Sequence, residues 1–200
     1  LNTHKEIKLL EDNAALKAKM NELGLRSKEF FKVDIGDVVL DAWMIKPINF
    51  DPQKKYPLLF HVYGEPAGST VQDNWGTGDN LWHQYLSNQL GYIIISIDNR
   101  GTRVPRGRDF RKSIYRQIGL LAADDQAKAA KKIIASYSFV DEKRIGIWGW
   151  SGGGQMSLHC MFRHADVYKT SIAVSFVALQ TLYDNIYQER YMGPPQETKA

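Results

Sequence analysis

The stretch that most constrains this chain runs from Arg144 to Gln155, where a short apolar strand ends at a serine set among glycines. Ile145, Ile147, Trp148 and Trp150 read as the strand. Gly149-Trp150-Ser151-Gly152-Gly153 reads as a sharp turn, and Met156, Leu158, Cys160, Met161 and Phe162 read as the apolar side of a following helix. Strand, turn and helix are the context of a nucleophile elbow, in which G-x-S-x-G presents a serine hydroxyl at the end of a sheet. Such a turn strains the serine backbone and brings strand and helix close, so residues 149 and 153 must be small. A bare G-x-S-x-G arises by chance in roughly one chain of this length in fifteen, taking Gly and Ser at about 7% each. The flanking strand and helix make chance a poor explanation. The plainer alternative, a glycine-rich phosphate loop, lacks both G-x-x-x-x-G-K-[ST] and G-x-G-x-x-G.

Two hundred residues, 44% hydrophobic and 24% charged, suit one globular domain with a short appendage. No apolar run reaches the 18 residues that would suggest a membrane span. Leu1 is no natural start, and any targeting signal is expected to lie upstream or to have been removed. The lone Cys160 excludes an internal disulfide and reads as a buried small residue. One cysteine fits the cytosol and the periplasm alike, and a periplasmic or secreted setting is expected ahead of the cytoplasm. Net charge is a mild +4. The basic run Arg100, Arg103, Arg106, Arg108, Arg111, Lys112 and Arg116 reads first as a solvated face, and otherwise as a docking surface or a site for an acidic group. It lacks interleaved aromatics, so nucleic acid is not an expected partner.

Along the chain, Asn13–Gly24 predicts a short helix capped by Asn13 and ended by Gly24. Glu29–Asp34 and Val38–Ile45 predict two strands joined by a turn at 35–37. Pro57–Tyr63 and Gly91–Asp98 are nearly continuous apolar runs, which suit strands buried on both faces of a parallel sheet. Asn80–Leu90, with apolar residues at helical spacing, would connect them. A helix over Asp125–Tyr137 precedes the elbow strand, and a further strand is expected over Thr170–Val177. Residues 179–191 then read as helical. Strands alternating with helices predict an α/β fold with a mainly parallel sheet and helices on both faces.

A serine needs a base to become a nucleophile. After an elbow the acid and the histidine follow the serine in sequence. Only His159 and His164 follow Ser151. His159 lies about 12 Å along the helix axis, at about 1.5 Å per residue, and His164 lies farther. Neither can reach Ser151. His61 reads as a core histidine, His83 as a helix-surface one, and His4 falls in the appendage. Asp184 and Glu189 are acids by order alone. The expected conclusion is that the chain stops before its domain does. The oxyanion hole should use the Gly152 N–H, and the Tyr63 hydroxyl is the candidate second donor, though a packing role fits Tyr63 equally well. Tyr183, Tyr187 and Tyr191 recur at intervals of four, as core packing or as an aromatic box. No metal or cofactor is expected.

Three runs carry a resemblance: Gly149-Trp150-Ser151-Gly152-Gly153-Gly154, Tyr56 to Gly64, and Tyr183 to Gly193 with its Tyr-x-Glu-Arg-Tyr-Met-Gly portion. Asp98-Asn99-Arg100-Gly101-Thr102 and Leu10 to Leu16 extend it over nearly the whole chain. Together they resemble the prolyl oligopeptidase family of serine peptidases, in its dipeptidyl peptidase IV-like branch. The resemblance implies an α/β-hydrolase fold cut short at its C-terminus, with residues 1–36 as the tail of a preceding β-propeller domain or an appendage and 37–200 as the N-terminal part of the catalytic domain. It implies Ser151 as nucleophile and Tyr63 and Gly152 as the oxyanion hole. Trp150, Val177, Tyr183 and Tyr187 would surround a proline or alanine penultimate to the substrate's N-terminus. Many relatives carry tyrosine where this chain has Gly152, and Gln180 stands where an aromatic residue is common. The partners implied are a peptide substrate and a docked propeller. An esterase of the same fold, and a non-catalytic assembly fragment that forms a homodimer through exposed sheet edges, are the alternatives.

Overall fold

The computed structural model describes residues 6–74, 78–194 and 196. Six strands form one sheet in the order β1-β2-β4-β3-β5-β6. These are β1 (Glu29–Asp34), β2 (Val39–Ile45), β3 (Tyr56–His61), β4 (Ile93–Asp98), β5 (Val140–Trp150) and β6 (Thr170–Val174). β4, β3, β5 and β6 are mutually parallel neighbours, while β1 and β2 join antiparallel at one side. The helices are α1 (Ala14–Glu22), α2 (Gly78–Leu90), α3 (Gly107–Lys112), α4 (Leu120–Ser136), α5 (Gly152–Arg163) and α6 (Asn185–Met192). The expected α/β fold, mainly parallel with helices on both faces, is what these elements make.

Side chains alternate across the sheet with period two. Leu58, Phe60, Ile93, Ile95, Ile97, Ile145 and Ile147 point to one face, where Ala122, Ala127 and Ala130 of α4 and Met156 and Cys160 of α5 complete the core. Leu59, Ile94 and Trp148 point to the other, and meet Trp43, Ile45 and Leu86. Small alanines along α4 let that helix lie close to the sheet. Burial pushes the Cys160 thiol up, as befits an inert apolar position.

β1 and β2 form the expected hairpin. Its tip is a tight turn in which the Asp34 carboxylate accepts from Gly36 N–H at 2.8 Å and Gly36 takes φ +103. This pairing carries the sheet across residue 36, onto the N-terminal side of the division expected there. α1 buries none of its residues. Asn13 occupies its cap position but does not cap it by side chain. Asp12 does so instead, accepting from Ala14 N–H at 2.8 Å. Gln84 of α2 holds the following segment through two bonds to the Arg26 backbone, at 2.9 and 2.7 Å.

α2 corrects an expectation drawn from its apolar pattern. Leu81, Trp82 and Tyr85 face outward, and His83, Leu86 and Ser87 face in. His83 is therefore a core residue, 2% exposed, and not a surface one. It sits in a box of rings with Trp43 at 5.6 Å, His61 at 4.8 Å and Trp148 at 5.4 Å between centroids. The three aromatic partners in β2, β3 and β5 attract an amphipathic ring that period alone placed in solvent.

Burial, then the proximity of His61 and Lys28, pushes the His83 pKa down to about 2. Its folded value lies below the unfolded one near 6.5, so the unfolded chain binds the extra proton and stability falls as pH drops below about 6.5. Urea unfolding at pH 7 and pH 5 should show wild type losing about 2 kcal/mol more than His83→Phe, whose ring does not titrate. Equal losses would show that the ring is already solvated.

Candidate active site

The site lies at the carboxyl ends of β3, β5 and β6, where parallel sheets of this kind place their clefts. β5 ends at Trp150 and α5 begins at Gly152, which leaves Ser151 alone to turn the chain. Its backbone takes φ 56 and ψ −121. A left-handed φ at a non-glycine residue costs on the order of 1–3 kcal/mol and persists only where surroundings enforce it. Ser151 N–H donates to Val174 O of β6 at 2.9 Å, and Ser151 O accepts from Gln155 N–H at 3.1 Å. Both ends of the serine's peptide are thereby fixed while its side chain stays half-buried.

Glycines permit this turn for a steric reason. A β-carbon on Gly149 would stand 2.3 Å from Gly153 O and 2.5 Å from Val62 O; one on Gly153 would stand 2.2 Å from Val62 O. The carbonyl of β3's successor residue thus occupies the space any side chain would need. The N–H of Gly152 opens α5 and has no intrahelical carbonyl to bind, so it is available to a ligand.

Tyr63 lies two residues beyond the end of β3, and its loop is tied down by polar groups. Asn99 Nδ2 donates to Gly64 O at 3.0 Å, and Gln126 of α4 donates to Asn99 Oδ1 at 2.9 Å. Asp98 accepts from Thr70 N–H at 2.8 Å and Val71 N–H at 3.2 Å, closing the far side of the loop. Burial, with the Glu65 carboxylate nearby, pushes the Tyr63 pKa up and keeps its hydroxyl a proton donor at neutral pH.

One pocket, with about 330 Å³ of empty space partly open to solvent, is lined by Tyr63, Ser151, Gly152, Val177, Tyr183 and Tyr187. Six of the seven residues expected at the site thus converge. Trp150 is not among the lining residues and is 60% exposed. Tyr183 arrives differently from the expectation of one helix. A 3-10 turn over Gln180–Leu182 ends at Tyr183, and α6 starts only at Asn185. Tyr183, Tyr187 and Tyr191 still meet edge to face, at 5.4 and 4.8 Å.

Of the residues placed as acids or bases by order, Asp184 and His164 do other work. Asp184 caps α6, accepting from Tyr187 N–H at 2.8 Å. His164 bonds Asp124 at 2.9 Å at the far end of α5. His61 packs with His83 under α2, and His4 lies outside the described residues. Among the described residues, Ser151 Oγ has no hydrogen-bond partner and no three metal-binding side chains cluster. Of the basic run, Arg100 is a structural residue. It grips the fully buried Asp125 at 2.6 and 3.0 Å and Asp37 at 2.9 Å. Arg106 binds Val39 O, whereas Arg103, Arg108, Arg111 and Lys112 are exposed as expected of a solvated face.

Sequence reasoning passed over Glu65, which lines the pocket and accepts from the Tyr187 hydroxyl. The signal was present as a carboxylate two residues beyond Tyr63, facing a residue 152 that has no side chain. Gln180 also reaches the pocket and is held by Gln155 at 2.6 Å and by Gln188.

The description "Prolyl oligopeptidase family" belongs to a family model that matches residues 78–200. The chain is 39% identical over 193 residues to the prolyl endopeptidase FAP of Bos taurus, covering 96% of this chain and 25% of that protein. It is 39% identical over 195 residues to the probable dipeptidyl-aminopeptidase B of Penicillium rubens, covering 97% and 21%. The crystal structure of Porphyromonas gingivalis dipeptidyl peptidase 4 superposes with a TM-score of 0.88 at 40% identity, covering 96% of this chain and 27% of that one. The chain therefore spans about a quarter of the length of the relatives it matches.

Packing at the elbow has a direct test. Gly153→Ala should destabilise by about 1–3 kcal/mol through forced displacement of Val62, a typical overpacking cost. Gly154→Ala, whose β-carbon meets Val174 O at a milder 2.9 Å, should cost less. Denaturation midpoints that rank the two in the opposite order would show that the elbow yields.

Proposed function

This chain belongs to the prolyl oligopeptidase family, and from that membership we propose that it carries the nucleophile half of a serine peptidase whose parent protein releases N-terminal X-Pro or X-Ala dipeptides. The observation that supports this most is the strained Ser151, held at the mouth of a pocket that also contains Tyr63. In the proposed reaction Ser151 Oγ attacks the scissile carbonyl and forms an acyl-enzyme. The developing oxyanion takes hydrogen bonds from Gly152 N–H and the Tyr63 hydroxyl, two donors that together stabilise the transition state by several kcal/mol. Val177, Tyr183 and Tyr187 offer apolar walls to a pyrrolidine ring or a methyl group, and Trp150 flanks the elbow from outside. The general base comes from residues beyond these 200, and water completes the cycle by hydrolysing the acyl-enzyme.

In the proposed domain order, residues 1–36 are the tail of a preceding propeller or an appendage, and 37–200 begin the catalytic domain, with the β1–β2 hairpin as the joint. A second reading attaches to β6, an outer strand of the sheet. Ile172 within it is 48% exposed, and Leu182 and Ile186, later in the chain, are 84% and 81% exposed. Taken alone, the chain has an apolar margin through which it could form a homodimer, and sedimentation of the isolated chain as a clean monomer would remove that reading. No helix of the described residues is long and apolar enough to cross a membrane.

The test is turnover of a chromogenic Gly-Pro or Ala-Pro substrate by the full-length parent. Ser151→Ala should lower kcat by about 10⁴-fold or more, and Tyr63→Phe by about 10²–10³-fold with little change in KM. The 200-residue chain alone should stay at background. Retained activity in Ser151→Ala would refute the nucleophile assignment, and an equal rate on simple esters only would favour an esterase.

A further inference from the structure

One carboxylate in the pocket has no part in the reaction described above. Glu65 is 5% exposed, and it lines the cleft beside Ser151, Gly152 and Tyr187. Its position is built. Gly64 takes φ +74 to turn the loop, and a β-carbon there would strike Met156 at 2.7 Å. The Glu65 carboxyl carbon fills the space where a side chain at residue 152 would begin, 2.3 Å from an ideal β-carbon on Gly152.

Its hydrogen bonding is half complete. The Tyr187 hydroxyl donates to Oε2. Among the described residues Oε1 has no hydrogen-bond partner, and no lysine, arginine or histidine pairs with the carboxyl. The other buried carboxylates are provided for: Asp125 has the Arg100 guanidinium, and Asp98 has two backbone N–H groups. Burial pushes the Glu65 pKa above the usual carboxylate range, against a smaller opposing pull from the Tyr187 bond. A buried carboxylate without a counter-charge is costly. If Glu65 served only to fill space over Gly152 and to orient Tyr187, a neutral glutamine would do the same at lower cost.

We propose that Glu65 is a specificity-determining residue of this pocket, and that its free Oε1 receives a primary ammonium group of the substrate while Tyr187 fixes the other oxygen. The inference rests on the peptidase reading of the site. Two groups of a peptide carry that chemistry, the free α-ammonium and a lysine side chain. The rings of Tyr183 and Tyr187 beside the carboxylate suit either, since aromatic faces also attract cations. An incoming ammonium supplies the counter-charge that Glu65 lacks among the described residues.

The experiment compares the full-length parent with its Glu65→Gln variant on two pairs of chromogenic peptides. One pair has lysine against norleucine as the first residue, ahead of the proline, and the other has a free against an acetylated amino terminus. The expected result is that wild type prefers the ammonium-bearing member of one pair, and that Glu65→Gln reduces this preference in kcat/KM by tenfold or more. The pair that responds identifies the source of the ammonium. Equal loss on both members of both pairs would overturn the proposal and leave Glu65 a packing residue. Should wild type cleave no peptide, the peptidase reading falls by itself. Calorimetric titration of the Ser151→Ala parent, with and without Glu65→Gln, against the same four compounds as amides then decides the inference. A Glu65-dependent tenfold difference within a pair sustains it, and identical affinities overturn it.

Discussion

A single carbonyl oxygen governs the geometry of this protein. Val62 O faces Gly149 and Gly153 at distances that admit no β-carbon, while Val62 N–H donates to Trp148 O at 3.0 Å. β3, β5 and the first turn of α5 are therefore pressed together at one point. The serine between strand and helix has no relaxed conformation open to it there, and its left-handed φ follows. The half-buried hydroxyl, the Gly152 N–H at the start of α5 and the neighbouring Tyr63 all follow from that contact.

Polar groups carry the rest of the alignment. Gln126 on α4 orients Asn99, Asn99 holds Gly64, and Gly64 sits between Tyr63 and Glu65. Arg100 locks the same loop to α4 through Asp125 and to the β1–β2 turn through Asp37. The buried members of this network are satisfied within the protein, which makes it a rigid frame for the cleft. Glu65 is the exception, since only one of its carboxylate oxygens has a hydrogen-bond partner among the described residues.

Much of this was legible from local pattern. The nearly continuous apolar runs at Pro57–Tyr63 and Gly91–Asp98 became β3 and β4, because strands buried on both faces cannot alternate with polar residues. The elbow was legible because its glycines answer a local steric demand. α2 was misread: Trp82 and Tyr85 look like a core face, yet the sheet offers its rings to His83. The helix expected over residues 179–191 breaks at Tyr183, because the Asp184 carboxylate starts a new one by accepting from Tyr187 N–H. These outcomes depend on partners far along the chain, about which spacing carries no information.

By itself the sequence determined the α/β alternation, the turn at Ser151 and the converging tyrosines, since each follows from periodicity, from glycine sterics or from motif spacing over a few residues. Only the tertiary structure decided that Glu65 fills the void above Gly152, that His83 is buried and that Arg100 is structural. Burial and charge compensation are properties of residues brought together from 25 to more than 100 positions apart, and nothing in the neighbourhood of either residue in the chain encodes that meeting.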